Sequence, residues 1–199
     1  SLTALCPIGT TATGLLPRSV VSEIGSRLCA GLGALHEAGI VHQDMKTDNV
    51  LVSRDGRVAI TDFGIASALT DPECNLCAGS PISGTPAYMS PEQARGYGRI
   101  DTRSDLYAVG VMLFQMFTGR LPFVGESSMA ITLARLYEDP CDPRTLRPDL
   151  GEGLAAVILR CLRREPAERL QTAAELAAVL EAERPAGPSL RECLASRLP

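Results

Sequence analysis

The sequence predicts a mainly α-helical protein carrying one short β-hairpin. Three observations support that expectation. Apolar residues recur at spacings of three and four in several separate stretches. Two β-branched runs flank an Asp-Gly pair, a strong short-range hairpin signal. Tryptophan is absent and aromatics are 4% of the 199 residues, so the core must be aliphatic. With 45% hydrophobic residues the chain is long enough to bury a core without disulfides or metal. The composition excludes disorder, collagen and coiled coil.

Residues 1–18 are rich in Gly, Thr and Pro and weakly periodic. Val21, Ile24, Leu28, Leu32 and Leu35 then make one apolar stripe, which predicts a helix stopped by Gly39. Val50-Leu51-Val52 and Val58-Ala59-Ile60-Thr61 are the predicted strands around Asp55-Gly56. From Ile65 to Ser83 no period holds, which predicts a long loop. From Arg103 the chain reads helical. Leu106 to Phe117 is apolar nearly all round, so that helix should be fully buried, with Gly119 and Pro122 ending it. Further helices are expected near 127–137, 153–163 and 173–183. Thr172-Ala173-Ala174-Glu175 reads as a capping box opening the last of them. Residues 1–184 are therefore expected to form one domain, and 185–199 a Pro/Gly linker or tail.

The formal net charge of −4 gives no reason to expect nucleic acid or an anionic membrane as partner. No apolar run approaches the roughly 20 residues of a membrane span, and no secretory signal is read at the start. The seven cysteines are odd in number and irregularly spaced, which suggests reduced thiols and a cytoplasmic setting. Cys74 and Cys77 form a single CxxC, open to a metal or redox reading or to two incidental loop cysteines. Of 19 basic residues only Lys46 is a lysine.

The hairpin places chemistry. With Asp55-Gly56 as a two-residue turn, cross-strand partners have numbers summing to 111, and Asn49 is expected opposite Asp62. Opposed side chains have Cβ atoms about 5 Å apart. Asp44 and Lys46 lie just before Asn49. Three oxygen-bearing side chains and one ammonium in a small space suit Mg²⁺ and phosphate, since Mg²⁺ is usually held by one or two carboxylates plus substrate phosphates. Singly, each of these residues is an ordinary loop or turn capper.

His42-Gln43-Asp44-Met45-Lys46-Thr47-Asp48-Asn49, then Asp62-Phe63-Gly64, then Gly84-Thr85-Pro86-Ala87-Tyr88-Met89-Ser90-Pro91-Glu92, resemble the catalytic loop, metal-binding segment and APE segment of protein kinases. The similarity is greatest to the eukaryotic-like Ser/Thr kinases of bacteria. It implies a C-terminal kinase lobe that is helical, with the hairpin carrying the catalytic loop and the Asp-Phe-Gly segment. It implies ATP and Mg²⁺ as cofactors and protein substrates as partners. By this resemblance Asp44 accepts or orients the substrate hydroxyl proton, and Lys46 offsets charge on the γ-phosphoryl. Asn49 and Asp62 hold Mg²⁺ on the nucleotide phosphates. Thr85 would bond Asp44 and Lys46. Asp105 would anchor the catalytic-loop backbone. Glu92 and Arg169 would form a buried ion pair, and Phe63 and Gly64 would serve as structural residues of the metal-binding segment. His36 and His42 read as structural histidines.

The sequence departs from the family pattern in three ways. No G-x-G-x-x-G occurs and no second lysine exists to contact nucleotide, so an N-terminal lobe is expected to be missing from these residues and the isolated chain to be inactive. Gln43 stands where Arg is common, which leaves no charged group there to clamp a phosphorylated loop; the complete enzyme is therefore expected to be active without loop phosphorylation, or to be switched by another route such as formation of a homodimer. Thr47 stands where Pro is usual, expected to matter little. The alternative reading is a pseudokinase-like docking module. A membrane anchor outside these residues would be compatible with either.

Overall fold

The computed structural model describes residues 1–10, 14–62, 67–68, 87–96 and 100–197. Phe63, Gly64, Thr85, Cys74 and Cys77 lie outside the described residues. Eight helices occur in the described chain: α1 (Leu2–Leu5), α2 (Arg18–Glu37), α3 (Pro91–Arg95), α4 (Thr102–Thr118), α5 (Ser128–Tyr137), α6 (Glu152–Cys161), α7 (Ala173–Ala182) and α8 (Leu190–Arg197). Four short strands accompany them: β1 (Ile40–Val41), β2 (Val50–Val52), β3 (Val58–Ile60) and β4 (Ser67–Ala68). They pair antiparallel as β1 with β4 and β2 with β3. The mainly α expectation holds.

Helix α4 is the axis of the core. Every residue from Ser104 to Thr118 is buried. Each large apolar side chain there contributes about 1.5–3 kcal/mol relative to exposure. Asp101 caps its start by accepting from the Arg103 amide at 2.9 Å, and Gly119 ends it at φ 73°. At Gly110 a Cβ would lie 2.5 Å from the Cys161 Cβ, so only glycine lets α6 approach α4 this closely. Helix α2 packs against α4, α7, α8 and β3 through the stripe that includes Ile24, Leu28 and Leu32, all fully buried. The 3.6-residue periodicity in the sequence is thus the imprint of this contact.

The hairpin differs from expectation by one residue. Val50 pairs with Ile60, Leu51 with Ala59 and Val52 with Val58, so partner numbers sum to 110. Ser53 donates its amide to the Arg57 carbonyl at 2.9 Å, and the Gly56 amide returns to Ser53 at 2.9 Å. The loop is therefore three residues, Arg54-Asp55-Gly56, with Gly56 at φ 84° taking the left-handed position that such loops require. Asn49 consequently pairs with Thr61, whose amide donates to the Asn49 carbonyl at 2.8 Å. Asp62 sits one step further on.

The end of the chain also differs from expectation. Residues 190–197 form α8, and Leu190, Cys193 and Leu194 are buried in the core. The carboxylate of Glu23, itself buried on α2, accepts from the Leu190 amide at 2.9 Å and from Arg184 at 2.6 Å. Arg27 joins Glu23 to the Gly56 carbonyl, connecting this latch to the hairpin turn. The segment expected as a linker or tail therefore contributes to the folded unit.

The thiols of Cys29 and Cys161 are pushed up by burial, the latter to about 12, which keeps them protonated and unreactive. Among the described residues Cys29, Cys141, Cys161 and Cys193 are free thiols, and no helix is long and apolar enough to cross a membrane.

Candidate active site

The loop between β1 and β2 carries the candidate chemistry, and α4 holds it from below. Asp105 is buried in the first turns of α4. Its Oδ2 accepts the His42 amide at 2.9 Å and lies 2.9 Å from His36 Nε2; its Oδ1 accepts the Gln43 amide at 2.8 Å. One carboxylate thus accepts two successive loop amides. It also holds Gln43 at φ 67°, a left-handed conformation that costs a side-chain-bearing residue about 1–3 kcal/mol. His42 is fully buried. Its Nδ1 accepts from the Asp44 amide at 3.3 Å, so Nε2 carries the proton and donates to the Thr61 carbonyl at 3.0 Å. Both histidines therefore hold backbone and carboxylate in place.

Directly after this anchored turn, three functional groups meet. Lys46 Nζ lies 2.7 Å from Asp44 Oδ2. Asn49 Nδ2 donates to the Asp44 carbonyl at 2.8 Å and to Asp44 Oδ2 at 3.2 Å. Met45 is buried in the core between them and pins the loop. With its nitrogen committed to Asp44, the Asn49 amide turns its oxygen away from that carboxylate. Asp62 is exposed and stands at φ 61° beside the open end of the hairpin. An amide oxygen and an exposed carboxylate are hard donors of the type Mg²⁺ takes, so the residues fit that ion. Among the described residues no group of three or more His, Cys, Asp or Glu is placed to hold a metal ion. A cation here would therefore need oxygens from a phosphate ligand as well.

The ion pair implied by resemblance is present. Arg169 Nη1 and Nη2 meet the two Glu92 oxygens at 2.8 and 2.7 Å. Ser104 donates to Glu92 at 2.6 Å. Arg169 spends its remaining N–H groups on the Arg163, Arg103 and Arg164 carbonyls, and stacks over Tyr107 with 5.0 Å to the ring centroid. Burial alone would raise the Glu92 carboxyl; Arg169 outweighs it and holds the group below the usual carboxylate range.

Two contributors escape sequence reading. Thr47 is buried, with its hydroxyl 3.1 Å from Tyr88, which in turn donates to Gln115 on α4 at 2.7 Å. This ties the loop to the central helix, a bond proline could not make. Gln93 donates from Nε2 to the Gln43 carbonyl at 2.6 Å. The only sequence signal for it is Ser90-Pro91-Glu92-Gln93, a capping box that is fully formed at the start of α3.

The family described as "Protein kinase domain" matches residues 6–179. A serine/threonine-protein kinase PknB of Mycolicibacterium smegmatis is 40% identical over 166 residues, covering 83% of this chain and 26% of that protein. A probable serine/threonine-protein kinase PknB of Corynebacterium glutamicum is 41% identical over 85% of this chain and 27% of its own length. A probable serine/threonine-protein kinase of Corynebacterium efficiens is 44% identical over 77% of this chain and 24% of its own. The chain spans about a quarter of the length of these curated relatives.

Proposed function

Because the chain belongs to the protein kinase family and resembles its bacterial Ser/Thr members, we propose that it is the catalytic-loop lobe of an ATP- and Mg²⁺-dependent enzyme that phosphorylates Ser and Thr hydroxyls of proteins. The observation that carries this reading is the Asp44 carboxylate held by Lys46 at 2.7 Å and by Asn49 at 3.2 Å, on a loop anchored by Asp105.

In this reading Asp44 Oδ2 stays committed to Lys46 and Asn49, and Oδ1 accepts the proton of the attacking hydroxyl. Lys46 places a positive charge beside the reacting centre, where charge spreads over the phosphoryl oxygens in transit. Asn49 Oδ1 and the Asp62 carboxylate would hold Mg²⁺, which would supply positive charge to the nucleotide phosphates. Positioning and electrostatics of this kind supply most of the acceleration in phosphoryl transfer. These 199 residues contain no Gly-rich phosphate-covering loop and one lysine. On this reading they do not transfer phosphate alone, and need a nucleotide-covering lobe. In this reading the reaction runs in the cytoplasm, where ATP is available, and the enzyme is active without loop phosphorylation or switched by another route such as a homodimer, since Gln43 stands in place of Arg.

The test is phosphate transfer from labelled ATP to a basic protein, by the chain joined to a nucleotide-covering lobe. Asp44→Asn and Asp62→Ala should each lower the rate by about 10²–10³ or more at unchanged melting temperature. Near-normal turnover in either variant overturns the assigned roles. Robust transfer by residues 1–199 alone overturns the need for the second lobe.

A further inference from the structure

Gln93 uses both ends of its side chain. Its Oε1 accepts from the Ser90 amide at 2.9 Å and from the Ser90 hydroxyl at 3.1 Å, closing the capping box of α3. Its Nε2 donates at 2.6 Å to the carbonyl of Gln43, the residue immediately before Asp44. Capping requires only the oxygen end. Glutamate fills this helix position equally well, and its charge suits a helix N-terminus better. Capping alone therefore gives no reason for an amide here; the bond to Gln43 does, because only the amide has an N–H to give.

That bond lands on a backbone that needs holding. Gln43 stands at φ 67°. Its amide is held by Asp105 at 2.8 Å, and the next amide, of Asp44, by His42 at 3.3 Å. The carbonyl of residue 43 belongs to the same peptide plane as the Asp44 amide. Rotation of that plane swings the Asp44 side chain. Asp105 fixes the peptide before Gln43, and Gln93 fixes the one after it.

We propose that Gln93 is a positioning residue: by clamping the Gln43–Asp44 peptide it aims the Asp44 carboxylate, and it makes that aim depend on the seating of α3. The inference rests on the kinase reading of Asp44.

Gln93→Glu keeps the capping oxygen and removes the donor, placing two acceptors face to face at Gln43. Gln93→Ala removes both. In the chain joined to its nucleotide-covering lobe, Gln93→Glu should lower kcat about tenfold or more, with KM for peptide and ATP little changed and wild-type melting; displacements of about 1 Å in such groups cost up to about a hundredfold. In residues 1–199, amide hydrogen exchange at Asp44 should accelerate in Gln93→Glu while the α4 amides stay protected. Wild-type kcat together with wild-type exchange at Asp44 in Gln93→Glu overturns the proposal. So does a loss confined to Gln93→Ala and proportional to its lost stability, which is what capping alone would give. Absence of phosphotransfer in the unsubstituted protein would instead refute the kinase reading, and the exchange measurement would then decide the clamp by itself.

Discussion

Arg169 and Glu92 face each other along two parallel bonds of 2.8 and 2.7 Å, 77 residues apart in the chain, with the guanidinium wholly shut off from solvent. The pair closes α3 against the turn that precedes α7. Removing one partner leaves the other charged and unpaired in a buried site. Glu92→Ala or Arg169→Ala should therefore each destabilise the fold by about 3–5 kcal/mol, read by chemical denaturation. Unchanged melting of both would show that the pair carries no stability. The pH dependence follows in sign. The Glu92 carboxyl is held below its ordinary value of 4.5, so the unfolded chain takes up that proton first. Its contribution is full above about pH 4.5 and fades as acidification passes through the lower folded value. The Glu92→Ala variant should lose this part of the acid sensitivity.

Asp105 gathers His42 N, Gln43 N and His36 Nε2 onto two oxygens. Asp105→Asn would turn one acceptor into an N–H facing another N–H. A loss of about 1–3 kcal/mol is expected from each buried group left unsatisfied. Thermal unfolding measures it; a variant as stable as the parent would mean that the loop amides find other acceptors.

Much of this was legible in the sequence, for physical reasons that can be named. Helices α2, α4, α5, α6 and α7 follow from apolar spacing, because each lays one face, or in α4 the whole circumference, against the core. The hairpin was legible as a hairpin, but its register was not. Asp-Gly fits a two-residue turn, yet Gly56 alone takes the left-handed position, and the shift by one moves the partner of Asn49 from Asp62 to Thr61. Helix α8 was missed because its stabilisation comes from tertiary contact with Glu23, not from its own periodicity. At α7 the expected capping box is half formed: Thr172 accepts from the Glu175 amide at 3.2 Å, but Glu175 turns to the Gln171 amide. Asp44, Lys46 and Asn49 do converge as expected from their proximity. What brings them together is the pair Asp105 and Gln93, from helices more than 40 residues away.

Arg135 presents the opposite case to Arg169. It is buried on α5 and donates from Nη2 to the Ala87 carbonyl at 3.0 Å; among the described residues its Nε and Nη1 have no well-formed hydrogen bond, and the Tyr107 hydroxyl beside it offsets part of the cost of burying the charge. Burial pulls its pKa down. Desolvation outweighs the Tyr107 contact, so this buried cation opposes folding. Arg135→Met, similar in length and uncharged, should leave stability unchanged or raise it, in contrast to Arg169→Met. A loss of several kcal/mol in Arg135→Met would show that the bond to Ala87 outweighs the desolvation.

Gln43 cannot make a charge-assisted bidentate contact with phosphate. Replacing Ser67, Thr70, Ser80 and Ser83 together by Ala, in the chain joined to a nucleotide-covering lobe, should therefore retain most of the rate. A fall of about a hundredfold or more, restored by phosphate at one of these positions, would overturn that expectation.

The seat of Lys46 has a chemical corollary. The chain has one side-chain amine, it is about one-fifth exposed, and it rests on the Asp44 carboxylate. An amine-directed acylating reagent therefore has a single side-chain target, and modification there removes the positive partner of Asp44 in the same event. Within these 199 residues, covalent labelling of a side-chain amine is thus confined to the candidate active site, and its rate would report how far Lys46 is covered.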